Sequence, residues 1–459
     1  SSDVCSSDLP ASGELLRAAG GNPLRLELLA RLRPDSDGAD VDVGLRDMLA
    51  ERLRRMPEDR RLILEALAVL GVSAESDAVA ALALADDADG AGAVADDFAQ
   101  MRSSGLGRTI AFRHALLRDA VYAAMDEGLR RQLHLRAAMT LERRYRGRPK
   151  FSGEVSFHWK AAGRLEAALE HAAAYLDHVN SIFSSSAALA WSEEVERLIG
   201  RVGLDAESAE TLARALGIRE ETLGRAGRAD EREAVISELE SLTREYGLIE
   251  WQAHAYFSRG KLLQQQTRYD EAVEWTLRAK DLAESNNLRF RVACALGNLG
   301  AIVSDFGDRL DEAEELYNGC LAIMKELGRK KDEGVTYMHL ALLYKSLKRY
   351  DRARAAYDSA LELAREIDHG HMEAGVLVNL AALEFDTGRP KRAQRLTETA
   401  LGLLRKAGDK RTEAIAVGNR ANYLGNSGSM REALADYRRS IRLHRECGNR
   451  RSEEISRSN

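Results

Sequence analysis

Three stretches of this chain align without a gap at a step of 40 residues: LALLYKSLKRYDRARAAYDSALELARE from 340, LAALEFDTGRPKRAQRLTETALGLLRK from 380 and RANYLGNSGSMREALADYRRSIRLHRE from 420. Small residues keep the register. Ala272, Ala313, Ala353, Ala393 and Ala433 stand 41, 40, 40 and 40 apart, each about five residues after a turn such as Gly388 or Gly428. A second series, Gly260, Gly300, Ala341, Ala381 and Ala421, runs in step on the preceding segment. Two helices that cross closely need small side chains where their backbones meet, and bulky residues such as Tyr317, Tyr357 and Tyr437 fill the space beside them. The repeating unit is a helix–turn–helix. A unit of that kind cannot bury its apolar face alone, so the units must stack into an α-solenoid.

The pattern resembles tetratricopeptide repeats, clearly over 205–459 and more weakly over 154–204, where GRLEAALEHAAAYL and AALAWSEEVERLIG keep the small residues and lose the period. The family's usual period of about 34 residues is exceeded here by about six, which lengthens the two helices of a unit by roughly 9 Å between them. GNRRSEEISRSN at 448–459 lies one step after GDKRTEAIAVGN at 408–419 and matches it at Gly, Arg, Glu, Ile and Asn. The chain is therefore expected to stop inside the first helix of another repeat.

Composition agrees with an all-α chain: 45% hydrophobic residues, 6% aromatic and 6 prolines in 459 residues. A net charge of −6, with 55 of the 67 basic residues arginine, carries no nucleic-acid signature. Cys294, Cys320 and Cys447 lack CxxC spacing, which points to reduced cytosolic thiols, and the longest apolar run, LILEALAVLGV, is too short to span a membrane. A cytoplasmic protein without nucleic-acid or membrane partners is expected. The opening SSDVCSSDL has no helical or strand period, and a common sequencing adapter translates to the same nine residues. Residues 1–9 are read as that artefact, with the biological chain starting near Pro10.

The first 150 residues are of another kind. AAGGNPLRLELLARL sets Asn22 as a helix cap and Pro23 in the first turn. GLRDMLAERLRRMPEDRRLILEALAVLG reads as two amphipathic helices broken at Met56–Pro57. FAQMRSSGLGRTIAFRHALLRDAVYAAM reads as a helix, a glycine turn, a short strand TIAFRH and a further helix, a winged-helix-like order with one strand pair near 105–113. This order resembles the region after the ATPase core of signal-transduction ATPases with numerous domains, the group of maltose-regulator-like activators, cyclase- and kinase-linked ATPases and plant resistance proteins. The resemblance implies the end of a nucleotide switch at 10–43, a winged-helix-like domain at 44–148 and a solenoid at 149–459. In that family a Gly-x-Pro motif packs on adenine, which maps to Gly21, Asn22 and Pro23, and a Met-His-Asp histidine meets the β-phosphate of ADP, which maps to His114. Arg113 and Ala115 depart from the motif. No G-x-x-x-x-G-K-[ST] occurs, and SRGKLL at 258 lacks both the upstream Gly and the Ser/Thr. The chain itself is thus expected to be no enzyme and to hold no cofactor, whereas the full-length protein would bind ATP or ADP with Mg²⁺ and assemble with itself in a nucleotide-dependent way.

Two residues before the small crossing position stand Asn298, His339, Asn379, Asn419 and Asn459, a row turned about 200° from the crossing. In the tetratricopeptide family that direction is the concave groove, where asparagines hydrogen-bond a bound peptide backbone. The row, with Lys345 beside it, is the expected site for a peptide or protein partner, although asparagines that merely tie neighbouring repeats would show the same spacing. His369 and His371 near Glu373 read as a turn and not a metal site, and Arg438, Arg442 and Arg445 share one helix face. The whole is read as the sensing and regulatory part of an ATP-dependent signalling or transcriptional regulator. The alternatives are the arm of a cyclase- or kinase-linked ATPase and a plain scaffold.

Overall fold

A computed structural model describes residues 51–83, 98–104, 107–182, 184–307 and 309–446. The chain divides into two units, Ser1–Ser184 with Glu194–Gly203, and Ser185–Glu193 with Leu204–Asn459.

In the first unit Pro57, whose ring presets the opening turn, launches α1 (Glu58–Leu70), and the break at Met56–Pro57 falls where the sequence puts it. β1 (Ser73–Glu75), α2 (Ser76–Ala83), β2 (Ala99–Ser104), β3 (Gly107–Phe112), α3 (Ala115–Ala124) and α4 (Glu127–Arg144) follow. The strands form one antiparallel sheet in the order β1-β3-β2, with Ala74 and Met101 both opposite Ile110. Leu64, Leu67, Leu82, Phe98, Ile110 and Leu133 form the core of this sheet-and-helix layer. The expected helix over FAQMRSS is corrected here: Ala99–Ser104 is a strand, paired along its whole length with β3. A stretch that short manages fewer than two helical turns, whose end groups would stay unpaired, whereas β3 satisfies its backbone. α5 (Ser152–Ala161) and α6 (Leu165–Ser181) then pack as a hairpin about Gly163, which sits at φ +78°.

After α7 (Ser185–Val202), the second unit runs as α8 (Ala206–Ala226), α9 (Ala229–Glu245), α10 (Ile249–Gln265), α11 (Tyr269–Ser285), α12 (Arg289–Phe306), α13 (Leu310–Glu326), α14 (Lys330–Ser346), α15 (Tyr350–Glu366), α16 (Gly370–Asp386), α17 (Pro390–Ala407), α18 (Lys410–Asn426) and α19 (Met430–Glu446). Two 17-residue helices such as α14 and α15, with a three-residue turn after each, make up the 40-residue step. The single step of 41 falls at α12, which is one residue longer than α10 or α14. The turns after α14 and α16 close alike. Arg349 N–H donates back to the Tyr344 carbonyl at 2.8 Å and Arg389 N–H to the Glu384 carbonyl at 2.8 Å, the six-to-one bond that ends a helix when the residue between is left-handed. Gly388 fills that position at φ +79°, and Lys348 occupies it at φ +59°. The expected crossings are in place: Ala341, Ala381 and Ala421 on the first helices and Ala353, Ala393 and Ala433 on the second are at most 1% exposed. Tyr317 and Tyr357 are buried beside them, and a side chain at Gly300 would run into the Tyr317 ring.

Candidate functional site

Because the second helices take the outer layer of each pair, the first helices α10, α12 and α14 line the inner groove of the second unit. Two cavities open there. One, of about 550 Å³, is walled by α8, α9, α10, α14 and α18, and the other, of about 430 Å³, by α10, α12, α13 and α14. Phe257, Lys261 and Val335 line both, so the two adjoin. The array winds far enough that the Arg411 guanidinium of α18 donates to the Arg225 carbonyl at the end of α8, 186 residues away in sequence.

The wall of the larger cavity is built on a buried ion pair. Arg232 of α9 lies against Gly224, where a Cβ would stand 3.1 Å from its guanidinium carbon, and it donates to Glu220 Oε1 at 2.7 Å and to Gln265 Oε1 at 2.9 Å. Glu220 and Arg232 are 1% and 3% exposed. His254 lies beside this pair, its Nε2 3.9 Å from Glu220 Oε2 and its Nδ1 3.1 Å from Arg291 Nη1. Burial, then the cations Arg291, Lys261 and Arg232, hold its pKa down at about 3. A guanidinium can only donate, so the neutral ring accepts at Nδ1 and carries its proton on Nε2. Nε2 is buried and has no hydrogen-bond partner in the structure. Glu221, half exposed at the mouth, has its carboxyl pushed up by desolvation and by neighbouring Glu220.

Only part of the residue row expected from the sequence lines the groove. Asn298 and His339 line the smaller cavity. Asn298 is 6% exposed and spends its amide on Thr276 Oγ1 of α11 at 2.9 Å, so at this position the repeat-tying role is the one observed. His339 packs on Tyr317 with ring centroids 5.5 Å apart, and burial followed by Lys261 lowers its pKa to about 4. Asn379 and Asn419 are half-buried at the same offset from Tyr357 and Thr397 and line neither cavity. Lys345 also lies outside both and pairs with Asp386 at 2.7 Å. Asn459 lies outside the described residues, as do Gly21, Asn22 and Pro23. His114 is half-buried as the residue before α3, just past β3. His369 accepts from Met372 N–H at 3.2 Å, His371 pairs with Asp409 at 3.1 Å and Glu373 with Arg365 at 2.7 Å.

Lys261, Lys331 and Arg411 were missed as groove residues. One signal could have found two of them: Arg291, Lys331, His371 and Arg411 stand 40 apart, a basic row one turn from the start of the first helices.

The tetratricopeptide repeat family models match residues 253–286 and 291–366, within this same groove-forming array. The chain is a tetratricopeptide-type α-solenoid with a smaller sheet-containing unit before it. It is similar to the crystal structure of a signal transduction ATPase with numerous domains, with a tetratricopeptide repeat sensor, from Pyrococcus horikoshii: 14% identity over 97% of this chain and 68% of that one, TM-score 0.53. A Rap protein complexed with competence and sporulation factor is 16% identical over 61% of this chain and 77% of that chain, TM-score 0.48. BtubC from P. vanneervenii is 21% identical over 49% and 91%, TM-score 0.40. No curated protein matches. Among the described residues no helix is long and apolar enough to cross a membrane, and no cluster of three or more His, Cys, Asp or Glu could hold a metal ion.

Proposed function

We propose that this chain is a sensor, its solenoid taking an extended peptide or a protein segment along the inner faces of α10, α12 and α14. The observation that carries the reading is the pair of adjoining cavities that share Phe257, Lys261 and Val335. They have apolar patches for side chains, charged and polar groups for orientation, and an elongated form set by successive helices. Stacked repeats present such a surface without a catalytic constellation.

The finer reading keeps the sensor attached to an ATP-dependent signalling or transcriptional regulator. The unit before the solenoid, with helices and a β1-β3-β2 sheet, is then its winged-helix-like domain, and ATP or ADP binding and self-assembly belong to the full-length protein. What supports this is the likeness to the Pyrococcus structure across nearly the whole chain, which speaks for the fold alone. The test of the sensor is retention of peptides from a degenerate hexapeptide pool by the immobilised chain, compared with Val335→Trp, which fills the shared part of the groove. Retention reduced at least tenfold by Val335→Trp is expected. No retained peptide, or equal retention by both proteins, refutes the sensor reading.

A further inference from the structure

We infer that the larger cavity is a subsite for acidic side chains, so that the peptide the groove accepts carries Asp or Glu where it passes Lys261, Lys331 and Arg411. This inference rests on the peptide-sensor reading and specifies its ligand. The cavity is lined by five cationic side chains, Arg225, Arg232, Lys261, Lys331 and Arg411, and two carboxylates, Glu220 and Glu221. The Glu220 carboxylate is committed to Arg232. Arg225 lies 3.9 Å from Glu221, so five cations against two carboxylates leave the lining an excess of three positive charges, in a chain whose net charge is −6. Lys261, Lys331 and Arg411 are exposed, and like charges gathered along one concave wall make the local potential attractive to an anion that enters.

Lys261 makes no ion pair with a described residue. Its ammonium stands 5.6 Å from the centre of the Phe257 ring, at the junction of the two cavities. His254 Nε2, though in a lining residue, is itself buried, so the groups that meet a ligand are the exposed cations Lys261, Lys331 and Arg411. Cations so placed call for an acceptor-rich anion, and a carboxylate supplies up to four lone pairs. The second cavity adjoins it at Phe257, Lys261 and Val335, so an extended chain finds lining surface on both sides of Lys261. That geometry favours side-chain carboxylates over a terminal one.

The probe is the degenerate hexapeptide pool, offered in a free-acid form and a C-terminally amidated form to the intact chain, with retained peptides read by mass spectrometry. Enrichment of Asp and Glu in both forms is expected. It should fall about tenfold in Lys261→Glu and in Lys331→Glu and persist in Lys261→Arg, with far-ultraviolet circular dichroism unchanged in all three. Enrichment lost on amidation overturns the inference in favour of a terminal carboxylate. Retained peptides without acidic enrichment, or enrichment indifferent to both charge reversals, overturn it while leaving the sensor standing. No retained peptide at all removes the sensor reading as well.

Discussion

Arg232→Met is the sharpest single perturbation of the groove wall. It deletes both guanidinium bonds to Glu220, one of them 2.7 Å, and the bond to Gln265 at 2.9 Å, and leaves a carboxylate that is 1% exposed with His254 Nε2 3.9 Å away. Removing one partner of a buried pair costs about 3–5 kcal/mol, because the other charge stays desolvated. Removing both carries no such penalty, so Glu220→Met with Arg232→Met should restore most of the loss, leaving a net change within about 1 kcal/mol of the parent. Trp251 stacks edge-on to His254 at 5.5 Å and reports on this corner by fluorescence during urea unfolding. Since a solenoid can unravel locally, amide exchange over α8–α10 should be read alongside. A single variant that loses less than about 1 kcal/mol, or a double variant as unstable as the single, would show that the pair does not hold the wall.

Gly260→Ala should destabilise by about 1–3 kcal/mol through overpacking, since its Cβ would run into Thr276 Oγ1 and come 3.2 Å from the Ala272 carbonyl; a urea midpoint equal to the parent's would contradict the crossing geometry. Asn298→Ala removes the donor to Thr276 Oγ1, which keeps its own bond to the Ala272 carbonyl at 2.7 Å, and should cost about 1 kcal/mol, whereas Asn419→Ala should cost less; equal losses would argue against the special role of Asn298. In the first unit half-buried Tyr122 and buried His134 and His158 form a chain with contacts of 2.8 and 2.9 Å, and burial holds the two imidazoles at about 4 and about 3, below the ordinary 6.5. The unfolded chain therefore takes up protons first, and stability, full above pH 6.5, is lost as pH falls toward 4, by about 2 kcal/mol per imidazole at pH 5. A urea midpoint unchanged between pH 7.5 and 5, or a His158→Gln variant with the parent's pH dependence, would refute that.

The helix pairs were legible because one small residue per helix, repeated at 40, leaves a single way to stack them, and Ala353 and Ala393 lie at the crossings that spacing demands. The small sheet was not legible. β1 has three residues, too few for a period, and β2 acquires its conformation from β3. The residue row beside the crossings, from Asn298 to Asn419, was legible as a row but not as a surface. Whether Asn298 faces a ligand or its neighbour depends on Thr276, 22 residues earlier on another helix, and Thr276 has claimed it. The cationic cavity depends on the superhelical turn that carries Arg411 round to Arg225, a quantity summed over ten helices and invisible in any one repeat.

The central claim, that the inner face of the solenoid is where a peptide lies, is tested most directly by photocrosslinking. A benzoylphenylalanine placed at Val335, which lines both cavities, and in a second protein at Leu277, exposed on the outer helix α11, is irradiated with the degenerate hexapeptide pool. Peptide adducts at position 335 with none above background at 277 are the predicted result. Adducts in equal yield at both positions, or at 277 alone, would contradict it.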